Sequence, residues 1–292
     1  MNPGTLQNLF LAVACAGSFA AHAQNGKLQL NKGEKIQVEN TLNSVATMEM
    51  MGQQMEMKSD AFMQHQVEVK DKKDTSYTIA SKLTKMTTTG TVMEQSYSFD
   101  SDSKKDRDSS ELGKMLKDQL NTVKEIELNN KGVMLVQNKT DTAAGNDENP
   151  MLGMMKTMTG TGTDFSNAAV EVFQVLPVGA KQGYSWSDSS IANGVNTHRT
   201  FTVKEINNNT AAVTLVGTQK TTKMVEQMGT EVNLTIDAKL SGESIVDVKT
   251  GTIQQKTYVI DGAGTADLMG QAMPLTMKVT SVTSVKRLSH FF

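Results

Sequence analysis

The sequence is short of cysteine, proline, aromatic side chains and excess charge. Its one cysteine is Cys15, it has four prolines, and only 5% of its residues are aromatic. The 29 basic and 31 acidic residues nearly cancel, which leaves a net charge of −2. Such a chain has no strong field that would gather nucleic acid or an anionic membrane surface. We therefore set both aside as partners.

The first 23 residues are typical of a signal peptide. The run Leu9–Ala16 is apolar, and Ala21 and Ala23 place small residues at the two positions that signal peptidase recognises. We predict cleavage after Ala23 and secretion to the periplasm or cell surface. No lysine or arginine precedes the run, and a lipoprotein cleaved before Cys15 is the alternative. The run is too short for a transmembrane anchor.

Loss of the signal peptide would also remove the only cysteine. The mature chain would then hold neither a disulfide nor a thiol, although it enters an oxidising compartment. This excludes thiol nucleophiles and cysteine metal sites. A chain of this size can bury a core large enough to fold without such links.

Threonine, serine, valine, asparagine and glycine are abundant instead. Threonine and valine favour strands, and Gly/Asn pairs supply turns. Apolar and polar residues alternate through most of residues 35–99 and 195–286, the pattern of half-buried strands. The sequence predicts a mainly β protein with long antiparallel strands, forming a curved sheet or two similar half-barrel-like halves.

A charged segment and a short helix interrupt the strands of the first half. Residues 100–111 carry carboxylates at several EF-hand ligand positions, but Lys104 and Lys105 occupy a ligand position and the turn-glycine position. We predict a solvated loop there. Ser110 then caps a helix within residues 110–120, whose apolar stripe is Leu112, Met115, Leu116 and Leu120.

The middle of the chain predicts further helix. Asn149-Pro150 fits a helix start and places Met151, Met155 and Met158 on one side. A second helix is predicted from Phe165 to about Phe173, although residues 170–175 fit a strand equally well. We expect the helices of residues 110–120 and 150–173 to pack on the concave face of the sheet, because their apolar stripes have no other partner.

These elements divide the chain after the signal peptide. Residues 24–137 form a first β-rich half, residues 138–175 a linker and helical middle, and residues 176–292 a second β-rich half. Met269–Met273 repeats the Met-Gly-Gln-x-Met pattern of Met51–Met55, which suggests a degenerate internal repeat.

The stretch Thr47–Lys58 predicts a β-hairpin turning about Gly52-Gln53. Its methionines share one face, with Met50 opposite Met55 and Met48 opposite Met57. Such a face can cap a hydrophobic interior or line an adaptable apolar binding surface. Thioethers also select Cu(I), so a copper site is a third possibility.

Catalytic motifs are missing from the sequence. It contains no Gly-x-Ser-x-Gly elbow, no P-loop and no Rossmann glycine pattern. Of its histidines, His65, His198 and His290 lie beyond the signal peptide, and we expect them to be structural. We predict that the protein is not an enzyme and that it needs no cofactor.

Several motifs resemble an uncharacterised secreted family of Gram-negative bacteria, a domain of unknown function. They are Ala21–Gln24, the Leu28-x-Leu30-x-x-Gly33 start, the Met-Gly-Gln-x-Met tips, and Leu176-Pro177 followed by Gly183-Tyr184-Ser185-Trp186. The family's usual Gly-Asp-Ser-Trp segment has Tyr184 in place of the acidic residue here. The resemblance implies turns and packing residues and brings no catalytic residue. More loosely, the predicted fold resembles the half-barrels of periplasmic lipoprotein carriers.

The function predicted from these features is non-enzymatic binding of an apolar ligand or a lipidated partner between sheet and helices. One alternative is an interaction protein of the cell envelope that docks through its methionine-rich hairpin tips. The other is a Cu(I)-binding protein. The candidate ligand-binding residues are Met48, Met50, Met55, Met57, Met115, Leu116, Met151, Met155 and Met158.

Overall fold

The computed structural model describes residues 26–50, 52–92, 95–116, 119–136, 171–192, 194–227, 230–268 and 270–288. In these ranges twelve antiparallel strands and two six-residue helices are present. The strands of the first half are β1 (Lys35–Met50), β2 (Gln53–Lys72), β3 (Ser76–Val92), β4 (Gln95–Asp100), β5 (Val123–Asn129) and β6 (Met134–Val136). Those of the second half are β7 (Ser185–Ala192), β8 (Val195–Asn207), β9 (Thr210–Gln227), β10 (Thr230–Asp247), β11 (Ile253–Leu268) and β12 (Gln271–Leu288). The helices are α1 (Lys104–Ser109) and α2 (Glu111–Leu116).

All twelve strands belong to one sheet. Its order is β6-β5-β3-β2-β1-β12-β11-β10-β9-β8-β7, and β4 pairs with the end of β3 that lies beyond β5. The first strand pairs with the last, from Lys35 opposite Leu288 to Met48 opposite Leu275. The predicted mainly β fold is confirmed, and the sheet is single, open and curved.

One face of the sheet carries most of the core. Ile36, Val38 and Ala46 of β1 are buried, while Gln37 and Glu39, in the opposite phase, are polar and more exposed. Because side chains alternate along a strand, these residues and their cross-strand partners define one surface, which we call the apolar face. The opposite surface, rich in Lys, Glu and Thr, we call the polar face.

Segment 171–180 closes one end of the apolar face. Val172 and Phe173 join a cluster with Leu28, Ile79 and Leu128, and Leu176 and Ala180 join a second cluster under β8 and β9. Backbone hydrogen bonds hold the segment, with Ile253 N–H donating to Val172 O at 2.8 Å. The second half therefore packs partly on residues that precede it.

The end of the predicted middle helix is wrong. Phe173 forms an isolated antiparallel bridge to Thr252, and Gln174 N–H donates to Gly251 O at 2.8 Å. Extended backbone lets this segment use hydrogen-bonding groups that a helix would keep for itself. Over the described part of residues 170–175 the helix alternative is therefore wrong, and of the strand alternative only the isolated bridge at Phe173 is present. The rest of the predicted helices, residues 150–170, lies outside the described residues.

The charged segment is partly helical, contrary to the predicted loop. Ser103 caps α1 by accepting the Asp106 N–H at 3.3 Å, which supplies a helix start within the acidic run. The carboxylates bond to nearby backbone, as when Asp102 N–H donates to Asp100 Oδ1 at 2.8 Å. That arrangement is typical of caps and turns rather than of a calcium loop.

Helix α2 lies where a helix was predicted, and it ends at Leu116. Ser110 Oγ accepts the Gly113 N–H at 2.9 Å, so the predicted cap is confirmed. Leu116 packs against Met63, Met86 and other apolar-face residues. This part of the predicted helix-on-sheet packing is therefore present.

Within the residues that the structure describes, no helix has both the length and the apolar character needed to span a membrane.

Candidate functional site

The methionine hairpin forms with a different register from the predicted one. Met48 lies opposite Met55, Ala46 opposite Met57, and Met50 opposite Gln53. Gly52, directly before Gln53, has a φ of +74°, which suits a tight turn. The predicted pairing of Met50 with Met55 and of Met48 with Met57 is wrong by two residues. The shared face is unaffected, because a slip of two keeps every side chain on its side.

The hairpin methionines lie at different depths on the apolar face. Met57 is only 6% exposed and belongs to a cluster with Ile236 and Met277. Met48 is half-buried against a neighbouring cluster that contains Met273, and Met55 is also half-buried. These depths favour a core or ligand-lining role over docking of the whole tip on a partner.

The remaining predicted site residues divide into two groups. Leu116 belongs to α2 and is buried against the apolar face, and Met115 lies on the same helix. Met151, Met155 and Met158 fall in the stretch from residue 137 to residue 170, outside the described residues. Their predicted role stays a prediction.

Half-buried apolar side chains form a band across the apolar face. Leu42 contacts two of the core clusters, and Ile260 and Leu275 pack against one of them. Met48 and Leu234 continue the band toward the hairpin ends. Each of these side chains keeps part of its surface accessible. We call these five residues the apolar band.

Two ion pairs lie on the same face of the sheet as the apolar band. Arg199 of β8 makes a bidentate pair with Asp188 of β7, with Nε–Oδ1 at 2.8 Å and a second contact at 3.0 Å. Lys256 of β11 contacts Glu171 of segment 171–180, with Nζ–Oε2 at 3.1 Å. The Lys256 Nζ also lies 5.3 Å from the centre of the Tyr258 ring.

These charges influence one another electrostatically. The positive charge of Lys256 holds the pKa of Glu171 below its ordinary value, and the charge of Arg199 adds to this effect. Burial, together with the negative charge of Glu171, raises the pKa of Tyr258 to about 12. Lys256 and Arg199 are partly buried, whereas their partners Glu171 and Asp188 are exposed, so the cluster lies between the apolar face and solvent.

Sequence reasoning missed this cluster, although a signal is present. Arg199 stands in phase with Phe201 and Val203, which point to the apolar face. Lys256 likewise stands in phase with Tyr258 and Ile260. Burying a cation at an apolar position of an alternating strand costs free energy unless the cation is paired. Such a cation in the sequence therefore indicates a candidate site.

The two described histidines lie in different environments. His65 is fully buried on the apolar face, and His198 is exposed with Nδ1 at 2.8 Å from Ser189 Oγ. Among the described residues, no group of three His, Asp or Glu side chains is placed to hold a metal ion.

The polar face also carries a groove. It has a volume of about 920 Å³ and is open to solvent. Its walls include the cross-strand row Lys239, Asp261 and Lys278. The groove lies on the side away from the predicted ligand-binding residues.

A family model matches residues 74–253 and is described as a family of unknown function, DUF6263. The chain belongs to this family. The match covers most of the sheet and includes the Leu176-Pro177 and Gly183–Trp186 motifs, in which Trp186 stacks on Phe201 at 5.3 Å. The predicted resemblance to a family of unknown function is thereby confirmed. No curated protein matches the chain.

Among solved structures, the chain is similar to lipovitellin, in a structure described by its lipid–protein interactions. The two are 9% identical with a TM-score of 0.51, over 88% of this chain and 25% of that chain. The chain thus spans about a quarter of lipovitellin, and the likeness is one of fold. An outer membrane channel from Pseudomonas putida F1 is 7% identical with a TM-score of 0.21, over 89% of this chain and 98% of that one. OccK7 of Pseudomonas aeruginosa is 6% identical with a TM-score of 0.26, over 89% and 100%.

Proposed function

We propose that this protein is a non-enzymatic binder of an apolar ligand, which it holds on the apolar face of its sheet. The observation that carries the proposal is the apolar band, Leu42, Met48, Leu234, Ile260 and Leu275, whose side chains are half-buried and contiguous with the core. Contiguous apolar surface lined by a few polar groups is typical of ligand sites.

Two further features support the proposal. Methionine is unbranched and adapts its shape, so Met48, Met55 and Met57 allow the face to repack around a flexible chain. The fold is also shared with lipovitellin, whose structure is described by its lipid–protein interactions. A shared fold is an analogy, and the argument for the site depends on the residues of this chain.

The direct test is uptake of a lipid by the mature protein. We expect native mass spectrometry of the purified chain to detect copurified lipid, and the delipidated chain to bind a fluorescent fatty acid. Two matched variants locate the site. Ile260→Asn places an amide in the apolar band, and Val259→Asn places one on the polar face of the same strand.

We expect Ile260→Asn to weaken binding about tenfold, the equivalent of roughly 1.4 kcal/mol, because it exposes the ligand to a polar group. Val259→Asn should bind as the wild type does. Absence of both copurified lipid and fatty-acid binding would overturn the proposed function. Equal weakening by the two variants would place the ligand elsewhere.

We also propose that the protein acts after secretion. The support is the apolar run Leu9–Ala16 and the small residues Ala21 and Ala23. Intact mass of the exported protein should correspond to a chain that begins at Gln24. A lipid-modified chain that begins at Cys15 would instead establish the lipoprotein alternative.

A further inference from the structure

The two cations on the face of the apolar band differ in how firmly they are paired. Arg199 and Asp188 come from adjacent strands and form two hydrogen bonds, so sheet geometry holds them together. Lys256 makes one contact, and its partner Glu171 comes from segment 171–180 rather than from the sheet. The second pair is therefore the more exchangeable one.

The exposure of the two partners is also unequal. The side chain of Lys256 is only 19% exposed, whereas that of Glu171 is 62% exposed. The cation is fixed on the face of the sheet, beside the Tyr258 ring. The carboxylate reaches it from the solvent side, which is the direction from which an incoming anion would approach.

The positions along β11 connect this cation to the apolar band. Lys256, Tyr258 and Ile260 follow one another on the same face, with a rise of about 3.3 Å per residue along a strand. The ammonium group, an aromatic ring and an aliphatic side chain therefore lie in sequence. A ligand whose headgroup binds the Lys256 ammonium would therefore have its apolar chain along Ile260.

We propose that Lys256 is the headgroup subsite for a long-chain carboxylate, which displaces Glu171 from the Lys256 ammonium while its alkyl chain lies on the apolar band. The inference rests on the proposed function and names the class of ligand, a fatty acid. The exchange replaces one carboxylate by another at the same cation, so the charge of the cluster is unchanged. Without ligand, Glu171 pairs with Lys256, so the partly buried ammonium is not left without a counter-charge.

The test compares two probes with the same chain and different heads, palmitate and hexadecanol. Binding of each is measured on the delipidated full-length mature protein. The variants are Lys256→Gln, which removes the cation, and Glu171→Gln, which removes the competing charge. Lys256→Arg keeps the charge, and Lys278→Gln is the matched control on the polar face.

We expect the wild type to prefer palmitate and Lys256→Gln to lose that preference, with about tenfold weaker palmitate binding and unchanged hexadecanol binding. Glu171→Gln should bind palmitate several-fold more tightly, because the ligand no longer competes with a bound carboxylate. Lys256→Arg and Lys278→Gln should retain the preference.

Each contrary result has a distinct meaning. Equal binding of both probes by the wild type and by Lys256→Gln overturns the headgroup subsite and leaves the proposed function intact. Weaker palmitate binding by Glu171→Gln also overturns it, because Glu171 would then support the site rather than compete for it. Failure of the wild type to bind either probe overturns the proposed function itself.

Discussion

Leu116 attaches α2 to the apolar face. It is 1% exposed and packs among Met63, Leu83, Met86 and Phe99. The spacing of apolar residues in the sequence was sufficient to predict this side chain as inward-facing, because a helix repeats its buried face every three to four residues.

Leu116→Ala should therefore destabilise the protein by about 2–5 kcal/mol, the usual cost of a buried leucine cavity. Chemical denaturation monitored by circular dichroism measures this loss. The control is Leu135→Ala on the exposed edge strand β6, for which we expect a change within about 0.5 kcal/mol. A similar loss in both variants would contradict the packing described for α2.

Tyr258 is the residue whose ionisation reports on the charge cluster. Its pKa is raised to about 12 from the ordinary 10.0, chiefly by burial and further by Glu171. The folded pKa exceeds the unfolded one, so the stability it contributes is present below pH 10.0 and is lost as the pH rises toward about 12.

Ultraviolet titration of the phenolate should show a transition near pH 12 that Tyr258→Phe removes. In Glu171→Gln the pKa of Tyr258 should fall but stay above 10.0, because the negative charge is gone and the burial remains. An unchanged transition in Glu171→Gln would show that the two side chains are not coupled.

The pairing of Lys256 with Glu171 lay beyond sequence reasoning. The two are 85 positions apart, and they meet because segment 171–180 folds back along the β10–β11 turn. Alternation along a strand assigns each residue to a face, but it carries no information on which distant segment lies against that face.

At the scale of elements, the hairpin ends show what alternation can and cannot determine. The β1–β2 and β11–β12 hairpins each have a glycine with positive φ directly before the second strand, Gly52 at φ +74° and Gly270 at φ +83°. The recurrence of the Met-Gly-Gln motif therefore corresponds to a shared turn. The predicted register was wrong because sliding the strands by two residues leaves both faces unchanged.

Substitutions of Gly52 separate the stability cost of backbone strain from that of packing. A Cβ at Gly52 would meet no atom within 4 Å, so a substitution there is opposed only by the positive φ. Gly52→Ala should cost about 1 kcal/mol, and Gly52→Asn should cost less, because asparagine tolerates left-handed backbone. Thermal unfolding measures both. Equal loss with the two residues would mean that the strain argument does not apply to this turn.

Helix α1 was not predicted because the residues that stabilise it are polar and act only within the helix and its cap. Six residues with no buried side chain have no apolar period to detect. The signal was the Ser103 cap with Asp106 in the first turn, a pattern that is common in loops as well.

At the scale of the whole molecule, the two predicted halves share one sheet. Val38 on β1 is fully buried in a cluster that also includes Val69 and Phe173, and the single tryptophan, Trp186, lies on the edge strand β7. If the sheet unfolds as one cooperative unit, a destabilising substitution in β1 also shifts the unfolding transition of β7.

Val38→Ala should lower stability by about 2–3 kcal/mol through the cavity it leaves. Trp186 fluorescence and far-ultraviolet circular dichroism should shift together to lower denaturant. The exposed Val178→Ala serves as the control and should leave both signals in place. A Trp186 transition that does not move in Val38→Ala would show two independently folding halves.

The pairing of the first strand with the last has a consequence for how fast the protein folds. Ser281 Oγ donates to Asn40 Oδ1 at 2.9 Å across 241 positions of sequence, at the centre of the sheet. A contact of that separation forms only after a large loop has closed, and topologies built on such contacts fold slowly. Until β12 pairs with it, β1 presents an unpaired strand edge to any neighbouring chain. Aggregation therefore competes with folding in the interval before β1 and β12 pair.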